Sequence, residues 1–247
     1  MKLTKIEPKF VEKHNPKVGL ITLASDLRIE KDFNNVVYDK EIDLFCNRIK
    51  SYNPLTNETL KKMADDIPEV TENILPNEKL DCVAYGCTSG TIAVGYTSIF
   101  KKVNLAKPNT KVTTPITSAI SAIKTLKIKK LSVFTPYTNE INQSVINYLK
   151  KEDVNISDLS YFNIASDLDI GKVDSDHLYN VLSKINLAKS DALFVSCTAL
   201  PTLSIIKDLE KKIGKIILSS NQTLIWDTLK QINFKDKVTG YGELFNN

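Results

Sequence analysis

The sequence contains few of the residues from which metal centres are built. Its 247 residues include 2 histidines and 4 cysteines, with no CxxC pair and no cluster of the two residue types. His14 lies near the N-terminus and His177 lies in a polar helical stretch, so both are poor candidates for a ligand or a base. Because metal centres need three or four such side chains at close spacing, this composition argues against a metal site.

Long apolar runs and a strong charge of one sign are also missing. No apolar stretch is long enough to span a bilayer, and segment 1–16 lacks the apolar core of a signal peptide. The formal net charge is only +4 and the lysines are scattered, which argues against a nucleic-acid face. We therefore expect a cytoplasmic protein with reduced cysteines and neither a membrane nor a nucleic-acid partner. The mild positive charge is compatible with an anionic metabolite.

Short apolar runs alternate with helical patterns along the whole chain. Strands are predicted at 18–23, 80–85, 111–113, 131–134, 192–195 and 215–218. Helices are predicted at 38–49, 55–75, 92–102, 118–126, 140–151, 174–188 and 202–213. This alternation is typical of βαβ units and predicts an α/β protein with mainly parallel sheets.

Two segments of the chain repeat each other without a gap. They are Asp81-Cys-Val-Ala-Tyr-Gly-Cys87-Thr88-Ser89 and Asp191-Ala-Leu-Phe-Val-Ser-Cys197-Thr198-Ala199. Segments 17–26 and 111–117 match 130–139 and 215–221 in the same order. Parallel strands can look alike by chance, but three matched loops favour two pseudo-symmetric Rossmann-like lobes with the active site between them. We divide the chain into an N-terminal lobe, 1–114 plus 221–247, and a C-terminal lobe, 115–220.

The repeated cysteines lie where ligands bind in α/β sheets. Cys87 and Cys197 each follow a predicted strand and precede a helix, at the carboxyl edge of the sheet. The backbone amides at a helix start favour a thiolate, the form that acts as base or nucleophile. One such cysteine alone would more often be structural, but two in equivalent positions favour catalysis. Cys46, in a helical pattern, and Cys82, in a strand, are expected to be small buried hydrophobes.

Three further residues each allow two interpretations. The Tyr137 phenol could bind a substrate carboxylate or form an aromatic rim. Asp26 could bind a substrate cation or cap the following helix. Asn221 could line the cleft or serve as a helix cap, which is the more common role of such a residue.

Four motifs together resemble one known group of enzymes. The motifs are Gly86-Cys-Thr-Ser-Gly-Thr91, Thr135-Pro-Tyr137, Ser196-Cys-Thr-Ala-Leu-Pro201 and Ser219-Ser-Asn-Gln222 with Trp226. They are similar to those of the aspartate/glutamate racemase superfamily, in particular its maleate cis-trans isomerase and arylmalonate decarboxylase branch. The resemblance implies a two-lobed α/β fold, a small carboxylate substrate, no metal or organic cofactor, and Cys87 and Cys197 as catalytic residues. The expected substrate-binding residues are Ser25, Asp26, Thr88, Ser89, Tyr137, Asn139, Thr198, Ala199 and Asn221.

The resemblance leaves several reactions open. In racemases of this type, one thiolate removes a proton and the other thiol protonates the opposite face. In maleate isomerases, the first cysteine adds to the double bond, which then rotates. Arylmalonate decarboxylases lack a thiol at the first position, whereas Cys87 is present here. A metabolite-binding protein without turnover is the alternative outside the enzymes.

One departure from the maleate isomerase pattern concerns the substrate. Those enzymes have an asparagine in the first loop, where this chain has Asp26, and a looser alignment places Asp167 at a second family asparagine. A carboxylate at close range repels an anion, so the exchange predicts a substrate with an ammonium or N–H group. The segment around Asp26 also resembles racemase-like proteins of ectoine utilisation. We thus expect a homo-oligomeric isomerase that uses two-sided proton transfer on an amino-acid-like carboxylate, for example an ectoine-derived one. Maleate-type isomerisation and decarboxylation are the alternatives.

Overall fold

Two parallel sheets form the framework of the protein. The computed structural model describes residues 1, 3–12 and 14–247. One four-stranded sheet has the order β2-β1-β3-β4 and the other has the order β6-β5-β7-β8, with every pair of neighbours parallel. The predicted α/β fold with two equivalent parallel sheets is confirmed.

The strands divide evenly between the two halves of the chain. In the first sheet they are β1 Lys17–Leu23, β2 Asp43–Ile49, β3 Cys82–Gly86 and β4 Lys111–Thr113. In the second sheet they are β5 Lys130–Thr135, β6 Asn155–Tyr161, β7 Ala192–Val195 and β8 Ile216–Ser219.

The helices connect successive strands. In the first half they are α1 Ile29–Val37, α2 Asn57–Met63, α3 Ile67–Glu72, α4 Thr88–Val94, α5 Tyr96–Ala106 and α6 Pro115–Thr125. In the second half they are α7 Asn139–Lys151, α8 Asp167–Gly171, α9 Ser175–Leu182, α10 Ile206–Ile213 and α11 Ser220–Gln231. Short 3-10 turns lie at Ala64–Asp66, Leu203–Ile205 and Glu243–Asn246. Within the described part of the chain, no helix combines the length and apolarity needed to cross a membrane.

The sequence patterns were misleading mainly at the sheet edges. The helix predicted at 38–49 is wrong, because 43–49 is the edge strand β2 paired with β1. Cys46 is therefore an exposed strand residue and not a buried one. Edge strands β2 and β6 contain polar residues and are only partly buried. Neither strand therefore has the continuous apolar run of a central strand. Strand β6 and helices α1, α8 and α11 were not predicted.

Two long predicted helices are interrupted. The pattern at 55–75 is divided into α2, a 3-10 turn and α3, which has a proline in its first turn. The pattern at 92–102 is divided between α4 and α5 at Gly95, whose φ of 87° lies in the region that favours glycine. Apolar periodicity continued through both breaks because both neighbouring helices pack on the same core.

The aspartates that begin the two repeated segments perform the same structural task. Asp81 Oδ2 accepts a hydrogen bond from the Lys17 backbone N–H, at the start of β1. Asp191 Oδ2 accepts from the Lys129 and Lys130 backbone N–H groups, at the start of β5. The repeated segments therefore have the same structural role in both halves. Each aspartate accepts hydrogen bonds at the start of the first strand of its sheet, and so fixes the position of its own strand beside that first strand. Cys82 lies buried in β3, as predicted.

Helix α11 joins the two halves of the molecule. It begins directly after β8 of the second sheet, yet it packs against α6 and against β3 and β4 of the first sheet. We keep the division into 1–114 plus 221–247 and 115–220 as a proposal. The packing of α11 on β3 and β4 agrees with placing this helix in the N-terminal lobe, whereas α6, which the division assigns to the C-terminal lobe, packs against the same helix. The first residues of α11 consequently lie at the seam between the two sheets.

Replacing Ser219 with alanine should destabilise the protein by about 1 kcal/mol, because a helix N-cap hydrogen bond would be lost. Buried Ser219 accepts from the Gln222 backbone N–H at 3.2 Å, and the Gln222 side chain accepts from the Ser219 backbone N–H at 3.3 Å. Urea unfolding measures the change. Ser160→Ala, at an exposed position of β6, serves as the control and should have little effect. Equal unfolding midpoints for the two variants would contradict this account of α11.

Candidate active site

Cys87 lies at the end of β3 and caps helix α4. Its sulfur accepts a hydrogen bond from the Gly90 backbone N–H at 3.2 Å and lies 3.9 Å from the Ser89 hydroxyl. The cysteine is 4% exposed. Burial, opposed by the Gly90 N–H and reinforced by the Asp167 carboxylate, raises the pKa of the Cys87 thiol to about 12.

Cys197 follows β7 and has an unusual backbone conformation. Its φ is 138°, a region that residues with a side chain seldom adopt and that costs roughly 1–3 kcal/mol. It is also 4% exposed, and burial raises the pKa of its thiol well above the usual range. The Tyr137 phenol and the Ala199 backbone N–H, which lie near the sulfur, lower this pKa and so act in the opposite direction. Such strain occurs where the surrounding structure holds a residue in one required position.

Ser220, the first residue of α11, holds the two cysteine loops together. Its hydroxyl oxygen accepts from the Thr88 hydroxyl at 2.9 Å and from the Cys197 backbone N–H at 2.9 Å. The Thr198 hydroxyl donates directly across the seam to the Gly86 carbonyl at 3.2 Å. The Cys-Thr loops of the two lobes are therefore in contact. Ser220 was absent from the predicted site, although it lies within the Ser219-Ser-Asn-Gln222 motif.

One oxygen of the Asp26 carboxylate performs the predicted capping role at the next helix, and the other oxygen takes no part in it. Oδ1 accepts from the backbone N–H groups of Arg28 at 2.6 Å and Ile29 at 2.9 Å, at the start of α1. Oδ2 is buried and has no hydrogen-bond partner in the part of the chain that the structure describes, and the residue is 1% exposed. The neighbouring Thr198 hydroxyl donates to Gly86 instead. Burial raises the pKa of the Asp26 carboxyl.

Asp167 brings a second carboxylate to the site from the other lobe. It begins α8, and its Oδ2 accepts from the Ser25 hydroxyl at 2.6 Å. The Ser25 oxygen also lies 2.9 Å from the Ser51 hydroxyl. Burial raises the pKa of Asp167 to about 6, and the negative charge of Asp26 adds to the increase. Ser25 thus links the Asp26 loop to the opposite lobe.

Asn221 lies inside the cluster and is not the cap of α11, which is Ser219. Its amide Nδ2 donates to Asp32 Oδ2 at 2.7 Å and to the Thr198 carbonyl at 2.8 Å. Burial raises the pKa of Asp32 to about 7, partly offset by the Asn221 hydrogen bond. Asp32 was missed because α1, which carries it, was not predicted.

The structure brings together most, but not all, of the predicted site residues. Cys87, Cys197, Asp26, Asn221, Thr88, Ser89, Tyr137, Thr198 and Ala199 are buried at the seam, and Ser25 is half-buried beside them. Asn139 is exposed on the first turn of α7, so the structure leaves it outside the buried cluster. Among the residues that the structure describes, no group of three or more histidine, cysteine or acidic side chains is arranged to hold a metal ion.

The Asp32→Asn variant should have a flatter dependence of stability on pH than the wild type. A carboxyl whose pKa is raised in the folded state stabilises the fold at low pH, and this contribution is lost as pH rises through the folded pKa, here about 7. The loss between pH 5 and pH 8 is on the order of 2 kcal/mol. Asparagine retains an acceptor for Asn221 without titrating. Urea unfolding at both pH values tests this, with Asp176→Asn, at an exposed position of α9, as the control; equal slopes for Asp32→Asn and wild type would contradict it.

The known proteins that resemble this chain include maleate isomerases and an arylmalonate decarboxylase. A maleate isomerase of Geobacillus stearothermophilus is 26% identical over 245 residues, covering 93% of this chain and 97% of the relative. An arylmalonate decarboxylase of Bordetella bronchiseptica is 25% identical over 137 residues, or 54% of this chain and 57% of the relative. A mutant of the Nocardia farcinica maleate cis-trans isomerase with a covalently bound succinylcysteine intermediate has the same fold. That structure superimposes with a TM-score of 0.85 at 17% identity, over 93% of this chain and 98% of that chain.

The family model described as arylmalonate decarboxylase matches residues 96–245. This match covers more than half of the chain and includes the loop of Cys197. The predicted resemblance to the branch that contains maleate isomerases and arylmalonate decarboxylases is confirmed by these relatives. On this evidence the chain belongs to the arylmalonate decarboxylase family.

Proposed function

We propose that the protein is a cofactor-independent cis-trans isomerase of a small unsaturated carboxylate, with Cys87 as nucleophile and Cys197 as proton donor and acceptor. The observation that carries the proposal is the meeting of these two buried cysteines, one from each half of the repeat, at a single seam. The general prediction of an isomerase is confirmed by the maleate isomerases among the relatives. The predicted two-sided proton transfer is less well supported than addition to a double bond.

The surroundings of each sulfur suit a thiol that changes its protonation state during the reaction. The hydrogen bond from the Gly90 N–H favours the thiolate at Cys87, and the nearby Tyr137 phenol and Ala199 N–H favour it at Cys197. Burial favours the thiol, and in the ligand-free protein it is the larger influence. We infer that the substrate supplies the change in environment that allows Cys87 to ionise.

The reaction is balanced with two cysteines that share one proton. The Cys87 thiolate forms a bond to one carbon of the double bond, and the Cys197 thiol gives its proton to the neighbouring carbon. The connection between these carbons is now single and rotates. The Cys197 thiolate then removes the proton, the carbon–sulfur bond breaks and the double bond forms again in the trans arrangement. Both cysteines return to their starting states.

Backbone amides are the best candidates for holding the substrate carboxylate. The Thr88 and Thr198 hydroxyls already donate within the protein, to Ser220 and Gly86. The backbone N–H groups that follow each cysteine, at Thr88 and Ser89 and at Ala199, lie at the loop ends where a reacting carboxylate would be held. Tyr137, buried beside Cys197, would orient it.

Wild-type protein should convert maleate to fumarate or isomerise a related cis-alkenoate, as measured by proton NMR. Cys87→Ser and Cys197→Ser should each reduce kcat by roughly 1,000-fold or more, because covalent addition and proton transfer would be lost. In Cys197→Ser, a substrate adduct on Cys87 should be visible by mass spectrometry. Cys46→Ser, at an exposed cysteine of β2, is the control and should retain activity. Full activity in Cys87→Ser would refute the mechanism.

Proton transfer on an amino-acid-like carboxylate is the second candidate. The observation in its favour is the carboxylate of Asp26 beside the two thiols, together with the resemblance to racemase-like proteins of ectoine utilisation. In this reaction each thiol would act on one face of the carbon next to the carboxylate. Incorporation of deuterium at that carbon in D2O, without any change of double-bond geometry, would choose this candidate. Homo-oligomer formation and a cytoplasmic location remain predictions.

Replacing Gly90 with alanine should impair Cys87 without unfolding the protein. A Cβ at this position would lie 2.8 Å from Cys87 Sγ and 3.0 Å from both the Tyr85 hydroxyl and Met63 Cε. Because overpacking displaces the nearest movable group, we expect the sulfur to shift and kcat to fall by about tenfold or more. Labelling of Cys87 by iodoacetamide should slow, while labelling of Cys46 serves as the internal control. Unchanged kcat and labelling of Cys87 would show that the sulfur position is not critical.

A further inference from the structure

Two buried carboxylates face the cysteines without a matching positive charge. Asp26 follows β1 in the first sheet, and Asp167 lies at the start of α8 beyond β6 of the second sheet. The Ser25 hydroxyl, next to Asp26 in the chain, donates to Asp167 at 2.6 Å and so brings the two carboxylates close together. We call Asp26 and Asp167 the acidic pair. Among the described residues, neither member takes part in a salt bridge.

The two arginines of this region are engaged elsewhere. The Arg28 guanidinium donates to the Gly171 carbonyl at 2.9 and 3.1 Å. Arg48 donates to backbone carbonyls of the Asp26 loop, including that of Asp26 at 2.9 Å, and pairs with Glu30 at 2.8 Å. Both cations therefore stabilise the loop from outside, and among the described residues no side chain donates a hydrogen bond to Asp26 Oδ2.

A buried carboxylate oxygen without a hydrogen-bond donor destabilises the protein unless a ligand supplies the donor. A buried charged acceptor without a donor has lost its hydration and gained no hydrogen bond in exchange. Other buried carboxylate oxygens nearby are partnered: Asn221 donates to Asp32, and Ser25 donates to Asp167. Asp26 Oδ2 is the exception. The feature is explained if a donor on the substrate occupies this position.

The acidic pair and the two thiols surround the same place. Both carboxylates exert a direct electrostatic influence on Cys87 and on Cys197. Thr198, which follows Cys197, lies beside Asp26 and bonds to Gly86, which precedes Cys87. A substrate carbon between the sulfurs would therefore have one of its ends next to Asp26.

We propose that the substrate end facing Asp26 and Asp167 carries an N–H group, either a primary amide or an ammonium, while its other end is the carboxylate held behind the cysteines. This inference rests on the proposed function for the location of the reacting carbons. A dicarboxylate such as maleate would place a second negative charge against the acidic pair, and like charges at close range repel each other. An N–H group instead donates to Asp26 Oδ2 and reduces the negative charge beside both thiols.

Binding can be measured separately from turnover with three saturated ligands of similar length. The Cys87→Ser protein is titrated with succinate, its monoamide succinamate and 4-aminobutyrate by calorimetry. Succinamate or 4-aminobutyrate should bind at least tenfold more tightly than succinate, and which of the two is tighter identifies the amide or the ammonium. In Asp26→Asn the preference should shift towards succinate by tenfold or more, because the asparagine amide donates to a carboxylate.

Turnover gives the second measurement, with maleate and its monoamide as substrates. The wild type should show a kcat/KM at least tenfold higher for the monoamide, and Asp26→Asn should lose or reverse this preference. Asp169→Asn is the matched control, since Asp169 is exposed on the same helix as Asp167 and pairs with Lys172. It should leave the ratio unchanged.

The outcomes separate this inference from the proposed function. Tight binding of succinamate or 4-aminobutyrate without turnover of either alkene would overturn the isomerase proposal and support the N–H site. Turnover with maleate preferred, and a ratio unaffected by Asp26→Asn, would support the isomerase and overturn the N–H site. Loss of maleate turnover in the wild type as pH rises, relieved by Asp26→Asn, would show that a protonated Asp26 binds a carboxylate, which also overturns it. Binding of none of the three ligands would overturn it as well.

Discussion

The arrangement of the site depends on one hydroxyl oxygen. Ser220 accepts a hydrogen bond from Thr88 in the first cysteine loop and from the backbone of Cys197 in the second. It can reach both because α11 leaves the second sheet and packs on the first. The two Cys-Thr loops follow strands of different sheets, and α11 lies where these two sheets meet. Ser219, which caps α11, and Ser220, which contacts both cysteine loops, are neighbours in the sequence. The start of the helix therefore also fixes the position of Ser220 in the site.

Desolvation is the second influence on this seam. Two thiols and the carboxyls of Asp26, Asp32 and Asp167 are buried within it, and burial raises the pKa of each. In a cluster of this kind each negative charge is costly while no ligand compensates it. Strain at Cys197 and the free oxygen of Asp26 are further local costs that the packed sheets on either side have to offset. Such features concentrate at places where a ligand binds.

Sequence patterns identified the central strands of both sheets but not the edge strands β2 and β6. Central strands such as β3 and β7 are buried on both faces, so their apolar runs were recognisable, and the cysteines after them could be located. Edge strand β6 is half exposed and polar, and its absence from the prediction left Asp167 with only a loose alignment. Helix α1 was not predicted either, although its buried Ile29, Phe33, Val36 and Val37 have helical spacing, and Asp32 was missed with it. Asn139 was included because of its position in a motif, but the first turn of α7 exposes it.

The sequence by itself determined the fold class, the internal repeat and the two residues that chemistry singles out, Cys87 and Cys197. These are local properties, because strand burial, helix starts and residue type can all be recognised from short stretches of the sequence. Only the tertiary structure decided which loops meet, that Ser220 joins them, and that Asp26 and Asp167 from opposite halves lie together. Contacts between residues more than 100 positions apart arise from the packing of whole elements, and no local pattern encodes them. Burial, and therefore the charge state of the site, follows from that packing.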